Sequence, residues 1–325
     1  MTRLPDRRRF VSSGGALSYV DVGDGPAVLL LHGFPTWSYL WRKLVPVLAS
    51  RFRVIAADLL GHGESARPDD SRLDVAAQAG YVQELADHLG IDRYAVVGHA
   101  HGGGVAQLLI VAGAPVEAAV LLNPIAFDAW PVGGMRDLRE RDPSSLTRDA
   151  VETWIRQAFV AGMADSSSIA EHDLRAYVVP WTDADGPRAF WRAARALDGG
   201  GLTGHEPALG ALETPILLLW GEDDPFLPPE LGERLNEAIP SSSLGLLPGC
   251  GHFVPEEAPE AIVPMVSEYL RVRYLHAPHG HAPADGLVMV QLERRPAWVD
   301  LAEYDEVDDE PVVPDPSQQE VGPGS

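Results

Sequence analysis

Val96-Val97-Gly98-His99-Ala100-His101-Gly102-Gly103-Gly104 is the stretch that decides the fold. An apolar run stops at small residues where a helical pattern begins, which predicts a strand, a tight turn and a helix. Gly98 and Gly102 frame the turn at the spacing that permits a strained backbone and lifts the central side chain clear of the sheet. That central residue is Ala100. The turn that would present a nucleophile is therefore present, but the nucleophilic side chain is not.

Apolar runs and helical patterns alternate along the chain on both sides of this turn. The patterns predict strands over residues 16–22, 27–31, 52–57, 94–97, 119–122, 215–221 and 244–247, and helices over 37–48, 74–89, 102–113, 229–238 and 259–273. This alternation predicts an α/β fold, with a mostly parallel central sheet and helices on both of its faces. In such a sheet, ligands bind beyond the carboxyl ends of the strands.

The composition changes twice along the chain, which predicts its domains. Residues 126–206 are rich in arginine, aspartate, tryptophan and alanine and lack β-branched runs, so we expect an inserted helical cap there. Residues 1–125 and 207–274 are expected to form the core beneath it. The C-terminal extension, residues 275–325, is acidic and proline-rich, and we expect it to be disordered from about residue 305 because it cannot bury enough apolar area.

Charge and cysteine content limit the classes of partner. The 325 residues carry a formal net charge of −22, which argues against nucleic acid or an anionic membrane and leaves a small-molecule substrate. The single cysteine, Cys250, excludes an internal disulfide framework. Since no signal-peptide pattern and no run of membrane-spanning length is found, we expect a cytoplasmic protein. The oligomeric state does not follow from the sequence.

Four motifs, in their order and spacing, resemble the α/β-hydrolase superfamily over residues 16–273. They are His32-Gly33-Phe34-Pro35, the turn from Gly98 to Gly102, Gly221-Glu222-Asp223-Asp224-Pro225 and Gly249-Cys250-Gly251-His252-Phe253. The first of them and the loop Asp58-Leu59-Leu60-Gly61-His62-Gly63-Glu64-Ser65 are most similar to the branch of epoxide hydrolases and of haloalkane and haloacetate dehalogenases. In that branch the turn usually bears aspartate.

The resemblance implies which residues carry the chemistry. His252 matches the catalytic histidine, and Asp224 matches the acid that orients it. The backbone N–H groups of Phe34 and His101 match the two donors of an oxyanion hole. Because both donors belong to the backbone, the alanine at position 100, where the nucleophile would stand, does not remove them.

Five further side chains are candidates for substrate binding: Trp37, Asn123, Trp154, Tyr177 and Trp181. Asn123 stands where some dehalogenases place an alternative acid, and Tyr177 is a candidate for the cap tyrosine that protonates an epoxide. No cofactor and no metal is expected. His99 and His101 flank the turn, but residues two apart there point in different directions and lack the further ligands that a metal needs.

Departures from the family pattern limit the function that can be carried over. Haloalkane dehalogenases typically bear a tryptophan directly after the nucleophile, where this chain has His101. Haloacetate dehalogenases bear an arginine close behind it, where Gly103, Gly104 and Val105 stand. Ala100 cannot form an ester intermediate, so the covalent route is closed.

Three explanations of Ala100 stay open. The first is that Ala100 is an introduced substitution in an aspartate or serine enzyme. The second is that it is a native residue and that a His–Asp dyad acts directly as a base. The third is that the protein binds a ligand and is catalytically silent. Our main hypothesis is a hydrolase-type site for a small apolar organic substrate of the epoxide, halide or ester class. The alternative is a cofactor-free dioxygenase or lyase, because Gly98-His99-Ala100-His101-Gly102 also resembles the turn of cofactor-free quinolone dioxygenases.

Overall fold

The computed structural model describes residues 6–129, 133–197 and 202–275. Within these ranges lies a sheet of eight strands: β1 (Arg7–Ser12), β2 (Gly15–Val22), β3 (Ala27–Leu31), β4 (Arg53–Ala57), β5 (Tyr94–His99), β6 (Val116–Leu122), β7 (Ile216–Gly221) and β8 (Ser242–Leu247). Their order across the sheet is β1-β2-β4-β3-β5-β6-β7-β8. β2 runs antiparallel to both of its neighbours, and the other neighbouring pairs are parallel. The predicted α/β fold is confirmed.

The central strands are apolar on both faces because helices cover both faces of the sheet. All five residues of β3, Ala-Val-Leu-Leu-Leu, are buried, and so are all six residues of β5 and of β7. Because β3, β5, β6, β7 and β8 are parallel, their carboxyl ends meet at one edge of the sheet. The four sequence motifs follow these strand ends and therefore come together.

Helices connect the strands. They are α1 (Val45–Leu48), α2 (Val75–His88), α3 (His101–Val111), α4 (Gly133–Glu140), α5 (Arg148–Gly162), α6 (Glu171–Val178), α7 (Gly186–Ala196), α8 (Glu206–Leu209), α9 (Pro229–Ala238), α10 (Val254–Glu257) and α11 (Pro259–Leu270). A π-helical turn, Arg271–Leu275, continues α11. In the part of the chain that the structure describes, no helix is both long and apolar enough to cross a membrane.

The single helix predicted over residues 37–48 is wrong. The structure has a short 3-10 helix, Ser38–Trp41, and then the one-turn helix α1. Pro46 lies in the first turn of α1, where its missing N–H is tolerated. In the interior of a longer helix, the same proline would remove a hydrogen bond, so the chain begins a second helix instead.

Strand β1 was not predicted. It pairs with β2 from Arg7 opposite Val20 to Ser12 opposite Gly15. Three consecutive arginines hide the strand pattern, because β1 lies at the edge of the sheet and keeps polar side chains near solvent.

The segment predicted as the cap contains α4, α5, α6 and α7, and no strand lies in its described part. One side of α5 is buried at helical spacing, through Val151, Ile155, Phe159 and Gly162. The exact domain boundaries stay a prediction. From residue 276 onward the acidic extension lies outside the described residues.

Close contact with the backbone of β3 requires glycine at position 102, at the end of the turn. A Cβ on Gly102 would lie 2.1 Å from the carbonyl oxygen of Leu31, at the end of β3. No rotamer relieves a clash between a Cβ and a backbone atom, so only glycine lets α3 begin this close to β3.

We expect Gly102→Ala to lower the free energy of unfolding by about 3 kcal/mol or more, because the clash forces the backbone apart. Urea unfolding followed by circular dichroism measures the loss. Gly80→Ala is the matched control: Gly80 is an exposed residue of α2 with nothing within 4 Å of an added Cβ. That control should gain about 0.5–1 kcal/mol. Equal effects of the two substitutions would contradict the close approach.

Candidate active site

Ala100 stands at the junction between β5 and α3 in a backbone conformation that side chains rarely adopt. Its φ is 48° and its ψ is −113°, and it is 3% exposed. A Cβ on Gly98 would lie 2.5 Å from the carbonyl oxygen of Gly102, so the turn is closed tightly. Strain of this kind persists where the surrounding structure enforces it, which is typical of functional sites. The turn therefore keeps the geometry of a nucleophile elbow.

Two backbone amides beside Ala100 are free to hold a negative oxygen. In the described part of the chain, the N–H groups of Phe34 and His101 have no acceptor. His101 is the first residue of α3, so its amide also lies at the positive end of the helix dipole. A Cβ on Gly33 would lie only 2.8 Å from that of Ala100, which shows how closely the Phe34 loop approaches the turn.

His252 and Asp224 form a buried dyad. His252 lies between β8 and α10, and Asp224 follows β7. The Nδ1 atom of His252 is 2.8 Å from Oδ2 of Asp224, and the two side chains are 3% and 0% exposed. Since a carboxylate only accepts, Nδ1 donates to it, and Nε2 is left without a partner among the described residues. That nitrogen can accept a proton from water or substrate.

The surroundings of Asp224 keep it ionised. Burial raises the pKa of this carboxyl, but the hydrogen-bonded His252 and the backbone N–H groups of Phe226 and Leu227 lower it by more, so the pKa falls below its ordinary value. The two amides donate to Oδ1 at 2.8 Å and 3.0 Å. A carboxylate held in this way fixes the tautomer of His252, with the proton on Nδ1.

Asn123 lies behind the dyad. Its side-chain amide donates to Oδ2 of Asp224 at 2.7 Å, and its oxygen accepts the N–H of Gly221 at 3.4 Å. The residue is fully buried and has a φ of 41°. These contacts differ from the substrate-binding role predicted for Asn123. They hold the acid in place.

The backbone of His252 is held both by the segment predicted as the cap and by the turn that bears Ala100. Its N–H donates to the carbonyl of Gly162, at the end of α5, at 2.6 Å, and its carbonyl accepts Nε2–H of His99 at 2.9 Å. Glu257 accepts the N–H groups of the two neighbours of His252, Gly251 and Phe253, at 2.9 Å and 3.1 Å. The same carboxylate accepts the N–H of Ala164 at 2.7 Å. Residues of the segment predicted as the cap therefore take part in positioning the dyad.

The aromatic candidates for substrate binding fall into two groups. Trp154 and Trp181 pack on Phe34, with ring centroids 5.7 Å and 6.1 Å away. Trp37 is half-buried instead, donates to the carbonyl of Ala176 at 3.0 Å and lines an outer cleft. The structure thus brings two of the three tryptophans to the loop beside Ala100.

Tyr177 belongs to a buried ionic network that joins helix α6 to residues on either side of the predicted cap segment. Its hydroxyl donates to Glu256, which also pairs with Arg42. Arg42 in turn pairs with Asp173 of α6 at 2.9 Å. Burial and the negative charge of Glu256 raise the pKa of Tyr177 well above its ordinary value. The hydroxyl is engaged by Glu256, which differs from the predicted role of a proton donor to an epoxide.

Four histidines around the turn are buried in their neutral form. Burial lowers the pKa of His32, His62, His99 and His101 to about 3. His32 is satisfied, since Nδ1 donates to the carbonyl of Gly33 and Nε2 accepts the N–H of Leu59. The described residues contain no group of three or more His, Cys, Asp or Glu side chains placed to hold a metal ion.

A family model described as alpha/beta hydrolase fold matches residues 26–259. The chain belongs to this family. The resemblance to the α/β-hydrolase superfamily inferred from the four motifs is thereby confirmed.

Relatives of this α/β hydrolase include enzymes of the branch that the loops resemble. It is 33% identical over 275 residues to haloalkane dehalogenase 2 of Mycobacterium tuberculosis, covering 81% of this chain and 94% of that one. It is 30% identical over 273 residues to the soluble epoxide hydrolase of a Corynebacterium species, covering 77% and 92%. A solved α/β hydrolase fold protein from Burkholderia ambifaria superposes with a TM-score of 0.74 at 30% identity, covering 80% and 96%.

Several residues of the site were missed in the sequence. Glu257 accepts the N–H of Ala164 and Gly162 accepts the N–H of His252, and each of these pairs is separated by about ninety residues, so no local motif marks the contacts. Glu256 and Arg42 are separated by more than two hundred residues. A buried pair of opposite charges leaves no local pattern that would reveal it.

Proposed function

We propose that this α/β hydrolase cleaves a small, mostly apolar carboxylic ester with water, activated directly by His252 and without a covalent intermediate. The observation that carries the proposal is the complete His252–Asp224 dyad together with two free amides at a turn whose central residue is Ala100. A base and an oxyanion hole are together sufficient to add water to a carbonyl group.

The residues act in sequence on the ester. The water oxygen bonds to the carbonyl carbon as one of its protons moves to Nε2 of His252. The carbonyl oxygen becomes an oxyanion, held by the amides of Phe34 and His101. When the carbonyl re-forms, the ester C–O bond breaks and His252 returns the proton to the leaving alkoxide, which gives an acid and an alcohol. Asp224 stabilises the imidazolium between the two transfers.

The ester class is favoured over the other two classes for chemical reasons. Opening an epoxide without a nucleophile needs a strong proton donor at the ring oxygen, and the hydroxyl of Tyr177 already donates to Glu256. Displacing a halide from a saturated carbon gives no oxyanion for the two amides to hold. An ester uses both the base and the amides.

Proton abstraction next to a carbonyl group is a second candidate. The observation that favours it is that His252 and the two amides would serve this reaction without any side chain at position 100. His252 would remove a C–H proton, and the amides of Phe34 and His101 would hold the enolate oxygen. A cofactor-free lyase or dioxygenase would begin with this step.

Restoring a nucleophile tests the ester proposal. We expect Ala100→Ser to raise kcat/KM for 4-nitrophenyl butyrate by about 10²-fold or more, because the elbow, the base and the amides are already in place. The release of nitrophenol measures the rate. Ala100→Gly is the matched control, since glycine tolerates the same φ and also lacks a nucleophile; its rate should equal that of the unaltered chain.

Further outcomes distinguish the proposals. If the unaltered chain leaves esters intact, the proposal of direct hydrolysis is wrong, whether or not Ala100→Ser cleaves them. Deuterium exchange of an acidic C–H group of a ketone by the unaltered chain, lost in His252→Ala, would then support proton abstraction. Saturable binding of an ester without turnover in any variant would support a silent binding protein.

A further inference from the structure

A cleft of about 590 Å³ lies between helices α4 and α7, in the segment predicted as the cap. Its lining is mostly basic and includes one tryptophan and one acid: Arg136, Arg139, Arg141, Arg195, Trp191 and Glu140. Four positive side chains thus stand against one negative, in a chain whose formal net charge is −22. We call this place the arginine cleft. It is a basic site on a strongly acidic protein.

The two helices hold these arginines at one place. Arg136 and Arg139 are three residues apart on α4, so they share one face of that helix. Nε1 of Trp191, on α7, donates to the carbonyl of Arg141 at 3.0 Å, which holds the end of α4 against α7. The guanidinium of Arg195, one turn further along α7, lies 5.1 Å from the centre of the Trp191 ring. Guanidinium groups from both helices therefore surround the same cleft.

Three of the arginines lack the carboxylate partners that other arginines of this segment have. Arg156 of α5, for comparison, pairs with two carboxylates at 2.8 Å and 2.7 Å. Arg139, Arg141 and Arg195 form no ion pair within the described residues, although Glu140 lines the same cleft. Arg139 is half-buried, and its Nε–H is buried without an acceptor there. Because native proteins leave few buried donors unpaired, the cleft calls for an acceptor that the described chain does not supply.

We propose that the arginine cleft binds a polyphosphate, a chain of two or more linked phosphate groups. The guanidinium group is a planar fork that donates to two phosphate oxygens at once. Each phosphate carries several strong acceptor oxygens, so linked phosphates can accept from α4 and α7 together. A single carboxylate would satisfy one guanidinium, and a neutral ligand would satisfy none of the charge. The volume of the cleft is ordinary for a small-molecule site.

The arginine cleft and the candidate active site lie on different sides of α7. Phe190 is fully buried, and its ring lies 4.9 Å from that of Phe34, beside the turn that bears Ala100. Its neighbour Trp191 is half-buried and lines the arginine cleft instead. A ligand in the cleft therefore displaces no residue of the candidate active site. The inference goes beyond the proposed hydrolysis and does not depend on it.

Isothermal titration calorimetry of the full chain with inorganic triphosphate tests the site, at about 0.15 M salt, where distant charges are screened. We expect one triphosphate to bind per chain. Inorganic phosphate should bind at least about tenfold more weakly, because one phosphate group is shared by fewer guanidinium groups. The strongly acidic chain as a whole repels anions, so saturable binding at this salt concentration indicates a local site.

Two variants remove one guanidinium each, from opposite sides of the cleft. Arg139→Gln and Arg195→Gln should each weaken triphosphate binding by about tenfold or more, the effect of losing a hydrogen bond to a charged group. Arg195 is exposed, so its substitution leaves folding intact. Arg51→Gln is the matched control, because Arg51 is exposed, lies outside the cleft and carries the same charge. It should keep the parental affinity within about twofold.

The absence of saturable triphosphate binding would overturn the inference. Binding that survives both Arg139→Gln and Arg195→Gln would also overturn it, and would assign the anion to the free amides of Phe34 and His101. So would an equal loss in Arg51→Gln, which would show an effect of net charge alone. A parallel titration with ATP distinguishes two sources of the same chemistry. Tighter binding of ATP identifies an organic polyphosphate and equal binding identifies the phosphate chain alone, and either result supports the cleft.

Discussion

His252→Ala is expected to lower kcat for 4-nitrophenyl butyrate hydrolysis by about 10²–10⁴-fold, the range that a positioned general base typically supplies. The KM should change little, because the Nε2 atom of His252 acts on water and not on the ester itself. The rate of nitrophenol release at saturating ester measures the effect. A loss smaller than tenfold would contradict the role of His252 as the base.

Asp224→Asn should lower kcat by a similar factor, about 10²–10⁴-fold, because an amide donor facing His252 favours the wrong tautomer. The adjacent residue supplies the matched control. Asp223 is exposed, whereas Asp224 is 4% exposed and accepts four hydrogen bonds. Asp223→Asn should therefore keep the parental rate. Comparable losses in the two variants would show that general charge near the site, and not the dyad, sets the rate.

Acidification is expected to unfold the protein cooperatively near pH 5. Four buried histidines have a pKa lowered to about 3 in the folded chain, against an ordinary value of 6.5. Between these values the unfolded chain binds more protons, so stability is full above pH 6.5 and falls as the pH decreases. At pH 5.5 the four sites together lower the free energy of unfolding by about 6 kcal/mol, which is comparable with the whole stability of a typical domain.

Urea unfolding at several pH values measures this dependence. The free energy of unfolding should fall by about 1.4 kcal/mol per pH unit for each histidine. His101→Phe removes one of the four sites without breaking a hydrogen bond inside the described chain, so its slope should be shallower by about one quarter. A free energy of unfolding that stays constant between pH 7 and pH 5 would show that these imidazoles are not buried as neutral groups.

Much of the fold could be predicted from the sequence because the patterns that indicate it are local. The glycines of the turn from Gly98 to Gly102 indicate that two backbones approach closely. The apolar run of β3 indicates a strand that is covered on both faces. The dyad could be named because Asp224 and His252 each follow a strand within a recognisable motif. Strand β1 was not predicted because its three consecutive arginines mask the strand pattern: Arg8 and Arg9 are exposed at the edge of the sheet, and Arg7 pairs with the buried Asp58, far away in the sequence.

The roles of single side chains were harder to read because they depend on distant partners. Asn123 and Tyr177 were both predicted to meet the substrate. Asn123 donates to Asp224, about a hundred residues away, and Tyr177 donates to Glu256. Nothing near either residue in the sequence marks its partner. The sequence does not distinguish a side chain that stabilises another side chain from one that binds a ligand. The structure does, because it shows which partner lies beside it.

The most direct test of the account is intact-protein mass spectrometry during turnover of 4-nitrophenyl butyrate. For the unaltered chain we predict steady release of nitrophenol with no butyryl adduct at any time, because Ala100 cannot be acylated and His252 activates water. Ala100→Ser should accumulate an adduct of one butyryl group. An adduct on the unaltered chain, or the absence of turnover by it, would contradict direct hydrolysis by the His252–Asp224 dyad.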